Sequence, residues 1–476
     1  MNGLIKRTAT YLISGLISQG AIFCLWLTLP WLLTPAEVGY VTLALFVIEV
    51  LTLLGMMGMD SALIRFASQP DDRRKTLTIA TAISGVGLII VAVLTYTALH
   101  ISIPFLVNTV LWVSSHYGLV LIAVAANVAW NLFQSYQLAA RQAREYAVFQ
   151  VVRALVYLSL AVGALTLLAK DASTVIWAAT VSSIGVLSLL VRKASLPSFS
   201  GDVFQKKEIG LIMRYGFPLM LYGLLGVGLT YTQRLVLDHY ADVSVLGVFG
   251  FFNVIAIQLN GLWASINKSW TPEFFILIKE NKERAIRLLQ GMLSLVCVVY
   301  PMLLAAYVVL GETIINEMVF PAAYAAQAEI FYLLLLAMLF TGVYTVAYPL
   351  YYYDLRTRRI LGISLFLAVA NMGLSVVLIR LWGIVGAAVS YLILAVMTLW
   401  TYMIVFRDWT GGWHRTAVLL VVVTVMVGGA ATLLVATHSS WMFVASLLTI
   451  SVVAWLLGGV FAKPMLKRLY GRIHIV

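Results

Sequence analysis

Few side chains in this sequence are equipped for chemistry, and those few stand in apolar surroundings. Glu49 lies inside Leu45-Phe-Val-Ile-Glu-Val-Leu-Thr-Leu-Leu. An ionisable group in lipid is costly and is a functional candidate by default. Such a carboxyl can carry a coupling proton or pair with a substrate cation. The alternative is a hydrogen-bonded structural Glu, or one facing water with no coupling role. Asn127, Asn131, Gln134 and Gln137 follow one another at spacings of 4, 3 and 3, which puts all four on one helical face. Asn253, Asn260 and Asn267 recur every seven residues, with Gln258 nearby. Amide stripes of this length face protein rather than lipid. They either line a hydrated, sugar-compatible path or tie helix to helix. Arg153 and Arg214 stand near the ends of apolar runs, from which a guanidinium can snorkel to headgroups. Arg234 is followed by Asp238, the i, i+4 spacing of a helical ion pair. Its other reading is a guanidinium that takes an anionic substrate group bidentately. Asp60 and Arg65 close another apolar run, five apart rather than four.

Other chemistries lack their motifs. The chain has no Gly-Lys dipeptide, hence no P-loop, and no HExxH. Its six histidines are scattered without metal-ligand spacing. Cys24 and Cys297 both sit in apolar stretches and form no disulfide framework. No pair of glycines is four apart, so a strict GxxxG motif is missing. The expectation is therefore no catalytic residue, no metal and no cofactor.

The elements that must position the candidates are set by composition. Of 476 residues, 62% are hydrophobic and 11% charged, against about 45–50% and about 25% in soluble chains. That excludes a soluble enzyme, a nucleic-acid-binding domain and a disordered chain. Long unbroken apolar runs also argue against the alternating pattern of a membrane β-barrel. Fourteen apolar stretches can be drawn, at about 10–33, 38–59, 77–99, 117–138, 148–169, 173–191, 211–233, 243–267, 288–309, 328–352, 361–380, 384–405, 416–436 and 442–460. With the N-terminus inside, 28 of the 31 Lys and Arg fall on the cytoplasmic side; only Lys170, Arg234 and Arg380 fall outside. This is the positive-inside pattern, and it accounts for the net charge of +12 without nucleic acid. The expected architecture is an all-α integral membrane protein with 14 transmembrane helices and both termini cytoplasmic.

Laid over itself at an offset of 208 residues, the chain matches twice. Gly39 falls on Gly247, and Ile176-Trp-Ala-Ala-Thr-Val-Ser falls on Ile384-Val-Gly-Ala-Ala-Val-Ser. Spans 1–6 then map onto spans 7–12 in the same direction, a parallel pseudo-twofold repeat of the kind that carries substrate between its halves. The expected domains are a six-helix bundle at 1–200, a second at 201–409, and an extra helix pair with a basic cytoplasmic tail at 410–476. Pro30, Pro218, Pro301 and Pro349 interrupt spans and allow kinks.

Leu32-Leu-Thr-Pro-Ala-Glu-Val-Gly-Tyr and Leu54-Gly-Met-Met-Gly-Met-Asp-Ser-Ala-Leu-Ile-Arg-Phe resemble the polysaccharide flippase family, the O-antigen and related transporters. Arg214-Tyr-Gly-Phe-Pro-Leu, Gln233-Arg-Leu-Val-Leu-Asp and Leu381-Trp-Gly-Ile-Val-Gly-Ala-Ala are similar to its later elements, with Gln233-Arg234 where the family commonly has Asp-Arg. The resemblance implies two six-helix bundles around a central cavity, a fold shared with multidrug exporters and peptidoglycan-precursor flippases. It implies, in the bacterial inner membrane, movement of an undecaprenyl-diphosphate-linked oligosaccharide from the cytoplasmic to the outer leaflet by alternating access. Glycosyltransferases and the polymerase of the same pathway are the implied partners, beside the lipid-linked substrate and the bilayer. On that reading Arg234, Arg65 and Arg153 meet the diphosphate, and the family motif covers only Arg65 and Arg234. Asn127, Asn131, Gln134, Asn253 and Asn260 meet the glycan, and Glu49 couples an ion. The alternative is a cation-coupled drug or metabolite antiporter on the same fold. A membrane enzyme would need a larger outside loop with clustered Arg, His or Asp than 100–116 or 310–327 provides.

Overall fold

The computed structural model describes residues 2–67, 70–99, 107–140, 142–191, 206–286, 289, 302, 305, 321–353 and 357–405. The regular elements among them are all helices: α1 (Asn2–Leu32), α2 (Pro35–Met56), α3 (Met59–Phe66), α4 (Pro70–Leu99), α5 (Val107–Ser115), α6 (Tyr117–Ala139), α7 (Ala143–Leu167), α8 (Ala172–Val191), α9 (Lys206–Tyr240), α10 (Val243–Glu280), the single turn α11 (Ala322–Ala325), α12 (Ala328–Tyr353) and α13 (Thr357–Val405). Eight of the described helices are long and apolar enough to cross a membrane, and Val243–Gln258 and Ala328–Gly342 are shorter apolar stretches. Only helices and closed barrels satisfy their backbone polar groups in lipid, so the chain is a multi-pass membrane protein. Most of the ninth apolar stretch, and all of the thirteenth and fourteenth, lie outside the described residues.

Several helices run past the apolar limits drawn from sequence. α4 begins at Pro70 and α10 reaches Glu280. Charge ends an apolar window but not a helix, because Lys, Arg and Glu are good helix formers. Hydroxyls inside the spans are satisfied locally: Thr42, Thr95 and Thr180 each donate to a carbonyl three or four residues back, at 2.7–2.8 Å.

The sequence places Asp60 and Arg65 at the end of the second span. The structure instead ends α2 at Met56 and puts both on the separate helix α3. Met57 and Gly58 turn left-handed in succession, with φ of 50° and 77°. The Met57 N–H returns to the carbonyls of Leu53 and Leu54, closing α2 with an αL cap. Glycine at 58 has a second reason. A Cβ there would lie 2.0 Å from the Gly216 carbonyl oxygen of α9.

By compactness the chain divides into residues 1–251 with 364–384, and residues 252–363 with 385–476. In the first unit α1 packs on α7, α7 on α8, and α4, α6 and α8 on α2, while α9 packs on α2, α3 and α5. The Thr34-Pro-Ala-Glu-Val-Gly motif has a local role there. Thr34 N-caps α2 by accepting from the Glu37 N–H, and Pro35 opens the helix. Glu37 Oε2 in turn accepts from the Ala172 N–H at 2.7 Å, capping α8. Gly39 lets α10 approach, since a Cβ there would stand 2.4 Å from the Val243 carbonyl. Reciprocally, a Cβ on Gly247 would stand 1.8 Å from the Pro35 carbonyl. Gly39 and Gly247 are the pair that the 208-residue offset superposes, and so are Pro35 and Val243.

In the second unit, residues 330–340 of α12 are buried all round, as expected of a helix without a polar face. Phe252 packs its ring against Tyr324 and Phe331. α13 is two helical stretches, 357–382 and 384–405, that meet at Gly383 with φ 56°. That is where the sequence separates its eleventh and twelfth spans.

Candidate functional site

One face of α2 presents residues 35, 39, 42, 46, 49 and 53, stepping by four and three. Along that face Gly39 meets α10, and a Cβ on Gly250 would press on Thr42. Phe46 and Glu49 meet α9, and Leu53 lies beside Gly223. The candidate acid thus belongs to the seam between α2 and α9.

Glu49 is exposed at its place in the fold, and its Oε2 accepts a hydrogen bond from the Tyr231 hydroxyl at 2.7 Å. The Tyr231 ring packs on Phe46 at 5.1 Å. The Arg234 guanidinium lies over the same ring, 4.5 Å from its centroid. Arg234 is buried, at 2% exposure. A buried guanidinium beside an aromatic face gains cation–π attraction that grows as water is removed. The sequence singles out Glu49 and Arg234 separately; the structure joins them through Tyr231, which reads in sequence as one more apolar aromatic.

The i, i+4 pair between Arg234 and Asp238 is not made as a hydrogen bond. Asp238 Oδ2 accepts from the Thr109 hydroxyl at 2.9 Å and from its backbone N–H at 3.4 Å. Asp238 Oδ1 has no hydrogen-bond partner among the described residues. The Asp238 carbonyl also accepts from Asn108 Nδ2. α5, which corresponds to none of the apolar stretches drawn from sequence, supplies both residues. Gln233, where the family commonly has an acid, is fully buried and donates to Asn371 Oδ1 at 2.9 Å. Asn371 Nδ2 donates onward to the Leu229 carbonyl. Arg380 stacks over Tyr240 at 5.3 Å. The last third of α9 therefore faces α2 through Tyr231, α13 through Gln233 and α5 through Asp238.

Arg153 is elsewhere in the same unit. Its Nε donates to Ser183 at 2.9 Å, an η-nitrogen donates to Asn127 Oδ1 at 3.3 Å, and the guanidinium covers Trp130 at 4.8 Å. It ties α7 to α6 and α8 rather than reaching for headgroups. Asn127, Asn131 and Gln134 are half-buried and Gln137 is buried, while Ile122, Ala125 and Ala129 on other faces of α6 are exposed. The stripe thus points into the bundle. Asn127 is brought to Arg153; Gln137 Nε2 has no hydrogen-bond partner among the described residues.

Arg65 is exposed on α3 and covers Tyr215 at 4.4 Å and Phe66 at 5.6 Å. Beside it, burial pushes the Asp60 carboxyl above its ordinary value despite hydrogen bonds from Ser61. The Lys75–Glu208 ion pair joins the starts of α4 and α9. Asn253 is fully buried in the second unit. Asn260 lies on α10, and its side chain is outside the described residues, as is that of Asn267.

The family model described as a polysaccharide biosynthesis protein matches residues 4–278. Among solved structures, the chain is similar to the lipid II flippase MurJ in an inward closed conformation. There the TM-score is 0.68 at 14% identity, covering 97% of this chain and 100% of that one. It is similar to the MATE multidrug transporter DinF-BH, with TM-score 0.58, 14% identity and coverage of 85% and 95%. It is also similar to an outward-facing MATE family transporter of the MOP superfamily, with TM-score 0.51, 17% identity and coverage of 85% and 96%. At such identities the likeness is one of fold. No curated protein sequence matches the chain.

Proposed function

We propose, from the premise that the chain belongs to the polysaccharide biosynthesis protein family, that it is a flippase for undecaprenyl-diphosphate-linked oligosaccharide. It carries its substrate from the cytoplasmic to the outer leaflet of a bacterial inner membrane, for surface polysaccharide assembly. The observation that carries the reading is the Glu49–Tyr231–Arg234 chain. A buried guanidinium is suited to a diphosphate, because it binds phosphate oxygens in a fixed fork. An acid one hydroxyl away can exchange a proton as the anion comes and goes. Such a pair supports ion-coupled movement of an anionic headgroup better than it supports a drug cation, which Arg234 would repel.

Arg65, exposed on a short helix with an aromatic platform beneath it, is the second diphosphate residue. With both termini cytoplasmic, α3 stands on the side where the substrate is loaded. The half-buried amides Asn131 and Gln134, and Asn253 with Asn260 in the other unit, are the glycan candidates. Arg153 and Asn127 bond each other, which suits a tie within the bundle better than a diphosphate site. The mutual approach of Gly39 and Gly247 supports the parallel repeat, because equivalent residues meet each other only near a twofold axis. Fourteen spans, the division at about 200 and 409, and association with glycosyltransferases and polymerase complete the proposal.

The test is a mass-spectrometric, leaflet-resolved assay of lipid extracts from a strain lacking this chain. Undecaprenyl-diphosphate oligosaccharides should accumulate on the cytoplasmic side and clear when the gene is restored, but not when it carries Arg234→Gln at equal expression. Normal intermediates with intact surface polysaccharide would sink the proposal and leave cation-coupled efflux on the same fold as the reading to pursue.

A further inference from the structure

We infer that the Tyr231 hydroxyl is a positioning group that makes proton binding at Glu49 and anion binding at Arg234 depend on each other. The inference rests on the flippase reading above and deepens it, by naming the residue through which the two sites communicate.

The geometry is specific. The Tyr231 hydroxyl has one proton to give, and it gives it to Glu49 Oε2 at 2.7 Å. Its oxygen then keeps lone pairs for the Arg234 guanidinium, which interacts with the same side chain. A single hydroxyl thus sits between a carboxylate and a guanidinium. Its ring is held by two neighbours, Phe46 at 5.1 Å and the guanidinium at 4.5 Å. With Glu49 ionised, the hydroxyl points its proton at the carboxylate, and Arg234 finds compensating negative charge close by. An anion that arrives at Arg234 brings further negative charge next to Glu49, and a like charge disfavours ionisation of a carboxyl. Proton uptake by Glu49 relieves the repulsion and releases the hydroxyl to turn. Anion and proton therefore bind together, and each raises the affinity for the other by the same factor.

Other ionisable groups near Glu49 do not compete for this role. On α2 itself the remaining ones are Glu37 and Tyr40, two and more turns away. Of the helices packed on α2, α5 and α8 carry none, and α4 carries none between Lys75 and Tyr96. α10 carries none before Lys268. α6 offers Tyr117 and Tyr136, both near its ends, and α1 offers only Cys24 beyond Tyr11. The facing groups from α9 are Tyr231 and Arg234; Tyr222 of the same helix lies more than two turns earlier.

The test uses the full-length chain in nanodiscs with inorganic pyrophosphate as the probe, titrated calorimetrically from pH 5 to pH 9. Wild type should bind more weakly as pH rises, by a factor of about 5–150 across the range, the usual span of a coupling between two sites. Glu49→Gln should bind with no such dependence. Tyr231→Phe keeps the ring between Phe46 and Arg234 and removes only the hydroxyl. It should retain pyrophosphate binding but flatten the pH dependence toward that of Glu49→Gln. A purely structural tyrosine would change affinity or thermal stability at all pH values alike and leave the slope intact. Pyrophosphate binding that is abolished by Arg234→Gln, with an unchanged pH slope in Tyr231→Phe, overturns the inference and leaves the flippase reading standing. No pyrophosphate binding by wild type at any pH overturns both.

Discussion

Replacing Gly247 with alanine should push α2 and α10 apart where they cross. A Cβ at that position would stand 1.8 Å from the Pro35 carbonyl oxygen and 2.8 Å from the Gly39 nitrogen. Both obstacles are backbone, so no side chain can turn aside. A carbon–oxygen contact needs roughly 3.2 Å, which asks α10 to retreat by roughly 1.4 Å, and forced overpacking of this kind costs about 1–3 kcal/mol. At room temperature that is a factor of about 5–150 against the close crossing. The measurement is a pair of spin labels at Ala36 and Ser244, both half-buried, in a chain carrying Cys24→Ser and Cys297→Ser. Wild type should give a short interlabel distance. Gly247→Ala should deplete that population by the stated factor, or lower the melting temperature if the chain has no other arrangement to adopt. Gly39→Ala, at 2.4 Å from the Val243 carbonyl, should act in the same direction. Gly85→Ala, with nothing within 4 Å of its Cβ, is the control and should do neither. An unchanged distance distribution and melting temperature in Gly247→Ala would refute the crossing.

Three further outcomes follow from the contacts of the first unit. Arg153→Gln should lower thermal stability by removing donors to Ser183 and Asn127, yet leave pyrophosphate affinity within about twofold; a selective loss of affinity would return Arg153 to the substrate site. Asp171 carries a carboxyl that burial opposes but that the Thr174 and Ser173 hydrogen bonds hold below its ordinary value. Its contribution to stability is thus complete above the ordinary value of 3.8 and is lost as pH falls through the lower folded value. Asp171→Ala should cost about 1 kcal/mol at neutral pH, with the difference from wild type closing in acid, as read by thermal unfolding. The Lys75–Glu208 pair is about one-third exposed on both sides, so Lys75→Ala should cost at most about 1 kcal/mol and less in high salt.

Hydropathy and charge make the long helices legible because lipid leaves the chain no other regular choice. What they do not show is where a helix stops once it leaves the hydrocarbon. α2 and α3 illustrate this. The apolar run continues through Met56, Met57 and Met59, and only the left-handed backbone at Met57 and Gly58 divides it. Gly58 is visible as a residue, but its reason lies on Gly216 of α9, a contact no local pattern contains. A search for GxxxG likewise fails here, since Gly39 and Gly247, which face each other where α2 and α10 cross, stand on different helices 208 positions apart. Only the repeat alignment pairs them, and it does so without any knowledge of the crossing.

The site is legible in its charges and not in its connection. Glu49 and Arg234 stand out because ionised groups are expensive inside an apolar run. Tyr231 does not, since in a membrane helix it reads as one more of the chain's 23 tyrosines. A signal is nonetheless present. Tyr231 and Arg234 are three apart on α9, and Phe46 and Glu49 are three apart on α2, so each helix offers an aromatic and a charge on one face. If two such faces meet, the aromatic hydroxyl is the group left to bridge the charges. Asp238 fails the opposite way. Its i, i+4 spacing to Arg234 promises a partner on the same helix, but α5 offers Thr109 with both a hydroxyl and a backbone N–H. Those two neutral donors hold Oδ2, while Oδ1 has no hydrogen-bond partner among the described residues. Helical spacing shows which groups can meet along one helix, but a neighbouring helix that offers two donors on one side decides which way the carboxylate turns, and it is through Tyr231 that Arg234 is joined to the acid on α2.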